Sequence, residues 1–197
     1  MIILGITGSS GSGKTTSSNF LSKIEGVKVI NADSVVKELN NPKTEYMKEI
    51  KNTFGKEYFL EDENLDRKKL ASLIFQNENA LNNLNNITFK YVVEEILNKI
   101  KNFSNENLKL LIIDAPLLFE SELDKYCNYT LAILANKDIK IERICKRDNI
   151  NKETAIARLN IQKDDSYYIK KADYVIENTG DENLLNMKIK ELINKLI

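Results

Sequence analysis

Short apolar runs alternate with amphipathic stretches along most of the chain. Ile2 to Thr7 is apolar and ends in a Gly/Ser loop, with Phe20, Leu21 and Ile24 following at helical spacing, so the opening segment reads as strand, loop and helix. Val27 to Ile30 is a second apolar run; it ends at Asn31-Ala32-Asp33, ahead of a helical stretch from about Ser34 to Leu39. Residues 43 to 103 show only helical periodicity, broken by Gly55 and by the acidic stretch Glu61 to Asn64. Within them Leu70, Leu73 and Ile74 recur at i, i+3, i+4 behind Asp66, a residue suited to an N-cap, and Leu84, Ile87, Tyr91, Ile96 and Ile100 predict a long helix. Leu110 to Ile113 is the bare apolar run of a strand buried on both faces, and it ends in Asp114-Ala115-Pro116. Tyr129 to Ala135 predicts another strand, Ile139 to Arg147 a helix and Tyr174 to Ile176 a last strand. Leu185, Ile189, Leu192 and Leu196 predict a closing helix capped by Asp181.

Strands alternating with helices in this way predict an α/β fold of three layers, a five-stranded parallel sheet with helices on both faces and right-handed crossovers. A chain of 197 residues has room for one such core. Residues 1–42, 104–147 and 172–197 supply it. Residues 43–103 lie outside as an inserted helical region where an acceptor would bind, and the polar stretch 148–171 lies where a lid would sit.

Charge narrows the partners. Lys and Arg total 29, as do Asp and Glu, so no global field draws the chain to nucleic acid or an anionic membrane, and any anion must be held by a local site. No apolar run approaches the length of a membrane span, and Met1 leads into Ile2 to Leu4 with no basic n-region; a cytoplasmic protein is expected. Cys127 and Cys145 lack metal-site spacing and read as reduced, partly buried thiols. The chain has no histidine, which excludes Ser-His and Cys-His nucleophile systems and imidazole bases together. Proton transfer then falls to a carboxylate, Lys, Tyr or water.

The candidate chemistry lies at the first loop. Gly8-Ser9-Ser10-Gly11-Ser12-Gly13-Lys14-Thr15 fits GxxxxGK[ST] in full, between a predicted strand and a predicted helix, which is the context the motif needs. This is a P-loop, expected to bind Mg-ATP. Backbone N–H groups from Gly11, Ser12 and Gly13 onward cradle phosphate oxygens at the helix N-terminus, because glycines let the backbone turn inward without a Cβ in the way. Lys14 supplies a mobile charge for the β- and γ-phosphates, the Thr15 hydroxyl is a hard ligand for Mg²⁺, and Thr16 is placed to reach the α-phosphate. Asp114 closes an apolar strand, the place of a carboxylate that holds Mg²⁺ directly or through water; its alternative is a turn carboxylate before Pro116. Asp33 also follows a strand, at the sheet edge where ligands bind in open α/β folds, or else caps the helix behind it. Asn136-Lys137-Asp138 imitates the guanine motif NKxD with its Asp one place early, so a GTPase is rejected.

Several further segments, in order between residues 5 and 180, resemble the dephospho-coenzyme A kinases. They are Gly5-Ile6-Thr7-Gly8, Asn31-Ala32-Asp33-Ser34, Leu65-Asp66-Arg67-Lys68-Lys69-Leu70 with Ile74-Phe75, and Asp114-Ala115-Pro116-Leu117-Leu118-Phe119-Glu120. Arg143, Arg147-Asp148, Ala157-Arg158 with Gln162, and Ala172-Asp173-Tyr174-Val175-Ile176 with Asn178 and Gly180 continue the match. Two departures stand out. Ser9-Ser10 replaces the usual Gly-Ile pair and is similar to the loop of uridine kinases; Phe89-Lys90 replaces the usual His-Pro.

The resemblance implies a P-loop kinase fold and ATP-dependent phosphorylation of the ribose 3′-hydroxyl of dephospho-CoA, the last step of coenzyme A synthesis. It implies Asp33 as the base or orienter of that hydroxyl, Gly11 to Thr16 as ATP ligands, and Pro116, Leu117 and Leu118 near the acceptor. Arg143 and Arg147 would be lid-side cations facing phosphates, and Asn178 would lie near the adenine. A uridine- or nucleotide-directed kinase and a non-catalytic ATP-dependent switch protein are the alternatives.

Overall fold

A computed structural model describes residues 1–197. Five strands, β1 (Ile2–Thr7), β2 (Val27–Asn31), β3 (Leu110–Asp114), β4 (Tyr129–Leu134) and β5 (Tyr174–Glu177), form one sheet in the order β2-β3-β1-β4-β5, with every neighbouring pair parallel. The predicted α/β architecture is therefore present. Leu110 to Ile113 in β3 are each 0% exposed, which is why that strand reads as an unbroken apolar run rather than an alternating one.

The chain divides into two compact units, Met1–Asn31 with Asn102–Ile197, and Ala32–Lys101. The first contains the sheet. Leu4 and Ile6, two apart on β1, share a face. They join Leu21 of α1 (Lys14–Leu21) and Leu185, Ile189 and Ile193 of the C-terminal helix (Glu182–Leu196) in the main core. Asp181 caps that helix by accepting from the Asn183 and Leu184 N–H groups, as expected.

The second unit is helical: α2 (Ala32–Leu39), α3 (Glu45–Phe54), α4 (Arg67–Gln76) and most of α5 (Glu78–Phe103). Residues 32–42, grouped with the sheet on sequence, cluster here instead. Tyr46, Met47, Ile50 and Ile87 form its core, with the Tyr46 and Tyr91 rings edge-on at 5.8 Å. Thr44 and Asp66 cap α3 and α4 by accepting from Met47 N at 3.2 Å and Lys69 N at 3.0 Å. At the second sequence departure, Lys90 and Tyr91 both donate to Glu49 Oε2 at 2.7 Å, and the Lys90 bond, followed by the Tyr91 bond, holds the Glu49 carboxyl below its ordinary range.

In the sheet-bearing unit, α6 (Lys137–Asp148) follows β4, and residues 148–171 fold into α7 (Lys152–Asn160) and α8 (Asp165–Lys171); the C-terminal helix is α9. Asn151 and Asp164 cap α7 and α8 by accepting from Thr154 N and Tyr167 N. The buried residues of these two helices are Ala155 and Tyr168, one on each, too few to leave a periodic signal. No helix is long and apolar enough to cross a membrane.

Candidate active site

Strand β1 delivers the chain into the loop, and three glycines make the turn possible. Gly8, Gly11 and Gly13 sit at φ 139°, 77° and 112°, where side chains are disfavoured, and Gly13 is the N-cap of α1. A Cβ on Gly11 would meet the Lys140 carbonyl oxygen at 2.7 Å, and one on Gly13 would run into the Asn178 carboxamide. The unsatisfied N–H groups of the first helical turn and the helix dipole make this terminus an anion site. Lys14 is seated across the loop, its Nζ donating to the Gly8 and Ser9 carbonyl oxygens at 2.6 and 3.1 Å. Thr15 is exposed and Thr16 half-buried. The Ser9 and Ser12 hydroxyls are buried without a hydrogen-bond partner.

The end of β3 meets this loop from the side. Asp114 pairs in register with Ile6 on one side and Asn31 on the other, and is 3% exposed. Its Oδ2 accepts from Ser18 Oγ at 2.8 Å and Asn31 Nδ2 at 3.2 Å. Ser18 lies one helical turn after Lys14, so α1 presents both on one face. Neither Ser18 nor Asn31 was marked for a side-chain role on sequence. A buried carboxylate needs such partners, and that requirement is the signal that could have prompted a search for them.

Arg143 and Asn178 brace the loop from behind. Arg143 Nη1 donates to the Gly11 and Ser12 carbonyl oxygens at 3.1 and 3.4 Å, and its Nη2 donates to Asn178 Oδ1 at 3.4 Å. Asn178 Nδ2 donates to Ser12 O at 2.8 Å, while Asn178 Oδ1 also accepts from Gly180 N at 3.1 Å. At 2% exposure Asn178 is enclosed, so its side chain buttresses the loop where the resemblance implies an adenine contact. Arg147, expected to face phosphates, grips Asp148 by two bonds of 2.7 and 2.9 Å, and Arg158 of α7 binds the same carboxylate.

The segment after β3 divides its residues between core and surface. Thr7 Oγ1 donates to the Pro116 carbonyl oxygen at 3.1 Å, fastening the turn to β1. Leu117 is 47% exposed and borders a cavity of about 380 Å³ together with Pro116, Ser10, Glu120 and Lys163. Leu118, expected beside the acceptor, is 0% exposed and faces Gly5, so it anchors the turn. The neighbouring Tyr168 hydroxyl is pushed up to about 12, first by burial and then by the charge of Glu120. Asp33 belongs to the helical unit, in the first turn of α2 rather than at its N-cap, two residues on from Asn31.

A five-stranded parallel sheet whose first strand runs through a complete glycine-rich phosphate loop into a helix, with a carboxylate closing the adjacent strand, defines a P-loop kinase. Comparison with known proteins makes the assignment specific. The family model described as CoaE, dephospho-CoA kinase, matches residues 2–183. A dephospho-CoA kinase of Fusobacterium nucleatum is 36% identical over 190 residues, 96% of this chain and 95% of that protein. The crystal structure of TT1252 from Thermus thermophilus superposes with a TM-score of 0.81 at 29% identity, covering 100% of this chain and 98% of the other. A dephospho-CoA kinase from Campylobacter jejuni superposes with a TM-score of 0.70 at 28% identity, over 98% and 96% of the two chains. The chain belongs to the dephospho-CoA kinase family and is an enzyme.

Proposed function

We propose that the chain transfers the γ-phosphoryl group of ATP to the ribose 3′-hydroxyl of dephospho-CoA, releasing coenzyme A and ADP. The observation that carries this reading is the closed phosphate loop with Lys14 seated in it and Asp114 held beside it by Ser18, in a chain of this family. Phosphoryl transfer passes through a loose transition state, so positioning and charge neutralisation supply most of the catalysis.

The N–H groups from Gly11 to Thr16 hold the nucleotide phosphates, and Lys14 exchanges its two loop carbonyls for phosphate oxygens. Thr15 and Asp114 would hold Mg²⁺, which when bound neutralises the charge on the phosphates. The residues fit that ion. They offer hard oxygens, a hydroxyl and a carboxylate, of the kind Mg²⁺ takes as ligands. Asp33 aligns the acceptor hydroxyl, and the lid helices α7 and α8 keep water from competing as acceptor. Arg143 and Asn178 hold the loop in shape, and Arg147 fixes α7 through Asp148. The Ser9-Ser10 form does not by itself favour uridine, because Ser10 uses both its N–H and its hydroxyl on Gln162.

The test is ADP and coenzyme A formation with dephospho-CoA, uridine and each nucleoside monophosphate as acceptor. Strong stimulation by dephospho-CoA and almost none by uridine is expected. The reverse ranking overturns the reading. Lys14→Ala should lower transfer by orders of magnitude in a protein that still folds, far beyond what the few degrees of melting temperature lost with its two loop hydrogen bonds would explain.

A further inference from the structure

Gln162 lies between α7 and α8, 152 residues from the phosphate loop in sequence, yet it holds the loop by two hydrogen bonds. Ser10 N–H donates to Gln162 Oε1 at 2.9 Å, and Gln162 Nε2 donates to Ser10 Oγ at 3.1 Å. Both polar ends of one carboxamide are thus used on one residue, which fixes direction as well as distance. The second bond needs a hydroxyl at position 10. An isoleucine there, the usual residue of the resembling family, would keep the first bond and lose the second.

What moves with Ser10 matters more than the pair itself. Lys14 Nζ rests on the Gly8 and Ser9 carbonyl oxygens, the two that immediately precede Ser10. A shift of Ser10 therefore moves the seat of the ammonium. On the other side, Gln162 and Lys163 border the same cavity as Ser10, Leu117 and Glu120. A second strut holds the segment in place: Lys140, whose carbonyl adjoins Gly11, donates from Nζ to Asp165 Oδ1 at 2.9 Å, with its side chain only 9% exposed. Residues 162–165 are thereby joined to the loop at Ser10 directly and at Gly11 through α6.

We propose that Gln162 is a positioning residue for phosphoryl transfer, setting the first turn of the phosphate loop, and with it Lys14, against the cavity bordered by Lys163. The inference rests on the kinase reading above. It assigns Gln162 no contact with the reacting atoms; its effect is transmitted through Ser10.

The discriminating variant is Gln162→Met, which keeps the length of the side chain and removes both hydrogen bonds. The expected result is a fall in kcat of about tenfold or more, because small displacements of a charge-stabilising group are costly in transfer, with the KM for ATP changed less than kcat. ADP formed without acceptor should rise relative to coenzyme A formed, a ratio that a purely structural contact would leave alone. Amide exchange of the peptide containing Ser10 should quicken. Ser10→Ala, which keeps the N–H bond, should give a smaller loss, and the double variant should be no slower than Gln162→Met. The proposal is overturned if kcat stays within twofold, if the two losses multiply independently, if exchange at Ser10 is unchanged, or if melting temperature falls in step with activity. Failure of the wild-type enzyme to phosphorylate dephospho-CoA would sink the kinase reading instead, and amide exchange would still report whether Gln162 holds the loop.

Discussion

Arg143 offers the sharpest test of how the phosphate loop keeps its shape. Its guanidinium makes one bond of ordinary length, 3.1 Å to the Gly11 carbonyl oxygen, and two long ones, 3.4 Å to Ser12 O and to Asn178 Oδ1. A hydrogen bond from a charged group is worth about 1.5–3 kcal/mol and the long pair adds little, so Arg143→Ala should cost about 2 kcal/mol. For a chain of this size that corresponds to a drop in melting temperature of roughly 4–8 °C. The freed loop should also lower kcat by up to about 10²-fold, since the Gly11 and Ser12 backbone groups define the cradle. Arg143→Lys separates brace from charge. It keeps the positive charge but cannot span two carbonyls and a carboxamide with a planar fork, so it should resemble Ala in both measurements. Coupled ADP release and thermal melting are the assays. If Lys restores kcat while Ala abolishes it at unchanged melting temperature, Arg143 acts as a cation on the phosphates, and the bracing argument is wrong.

The structure predicts three other outcomes. Asp33→Asn should lower kcat by about 10²-fold or more at saturating dephospho-CoA while leaving ATP affinity unchanged, as read by nucleotide titration; loss of ATP affinity would make it a metal-site residue. Cys127, whose thiol burial pushes up to about 12, should react far more slowly with a thiol reagent at pH 8 in the native protein than after denaturation, and equal rates would contradict its enclosure. The Asp148 carboxyl is held below its ordinary value, first by the hydrogen bond from Arg147 and also by the charges of Arg147 and Arg158. A depressed carboxyl contributes stability above its unfolded value that is lost as pH falls toward the folded one. The melting advantage of wild type over Asp148→Asn should therefore be constant near neutrality and close below about pH 4, and an advantage that persists in acid would refute the pairing.

The elements legible in the sequence are those whose environment repeats along the chain. Strand β3 could be read because both of its faces are covered, and α9 because Leu185, Ile189 and Leu192 are buried at helical spacing. The phosphate loop was legible because its chemistry is local, eight consecutive residues with their own strand and helix. The helices α7 and α8 were not, since each buries a single residue and leaves its other apolar side chains half-buried or exposed. Leu117 and Leu118 show the limit at one step: both are apolar, one is 47% exposed and the other 0%, and no period governs an irregular turn.

The site partners that stayed hidden have one physical cause in common. Periodicity reports which face of an element is buried; it carries no information on which polar group meets which. Ser18 sits in a helix where serine is an ordinary residue, and only the 96-residue separation closed by the fold gives its hydroxyl to Asp114. The Ser10–Gln162 and Ser12–Asn178 bonds, across 152 and 166 residues, are of the same kind. Buried polar groups must find partners or forfeit the free energy of leaving water, so a polar residue at a strand end or in a glycine loop predicts a partner without naming it. The motif therefore locates where phosphate binds, whereas the rigidity that would make the loop catalytic comes from Arg143, Gln162 and Asn178, which reach it from distant parts of the chain.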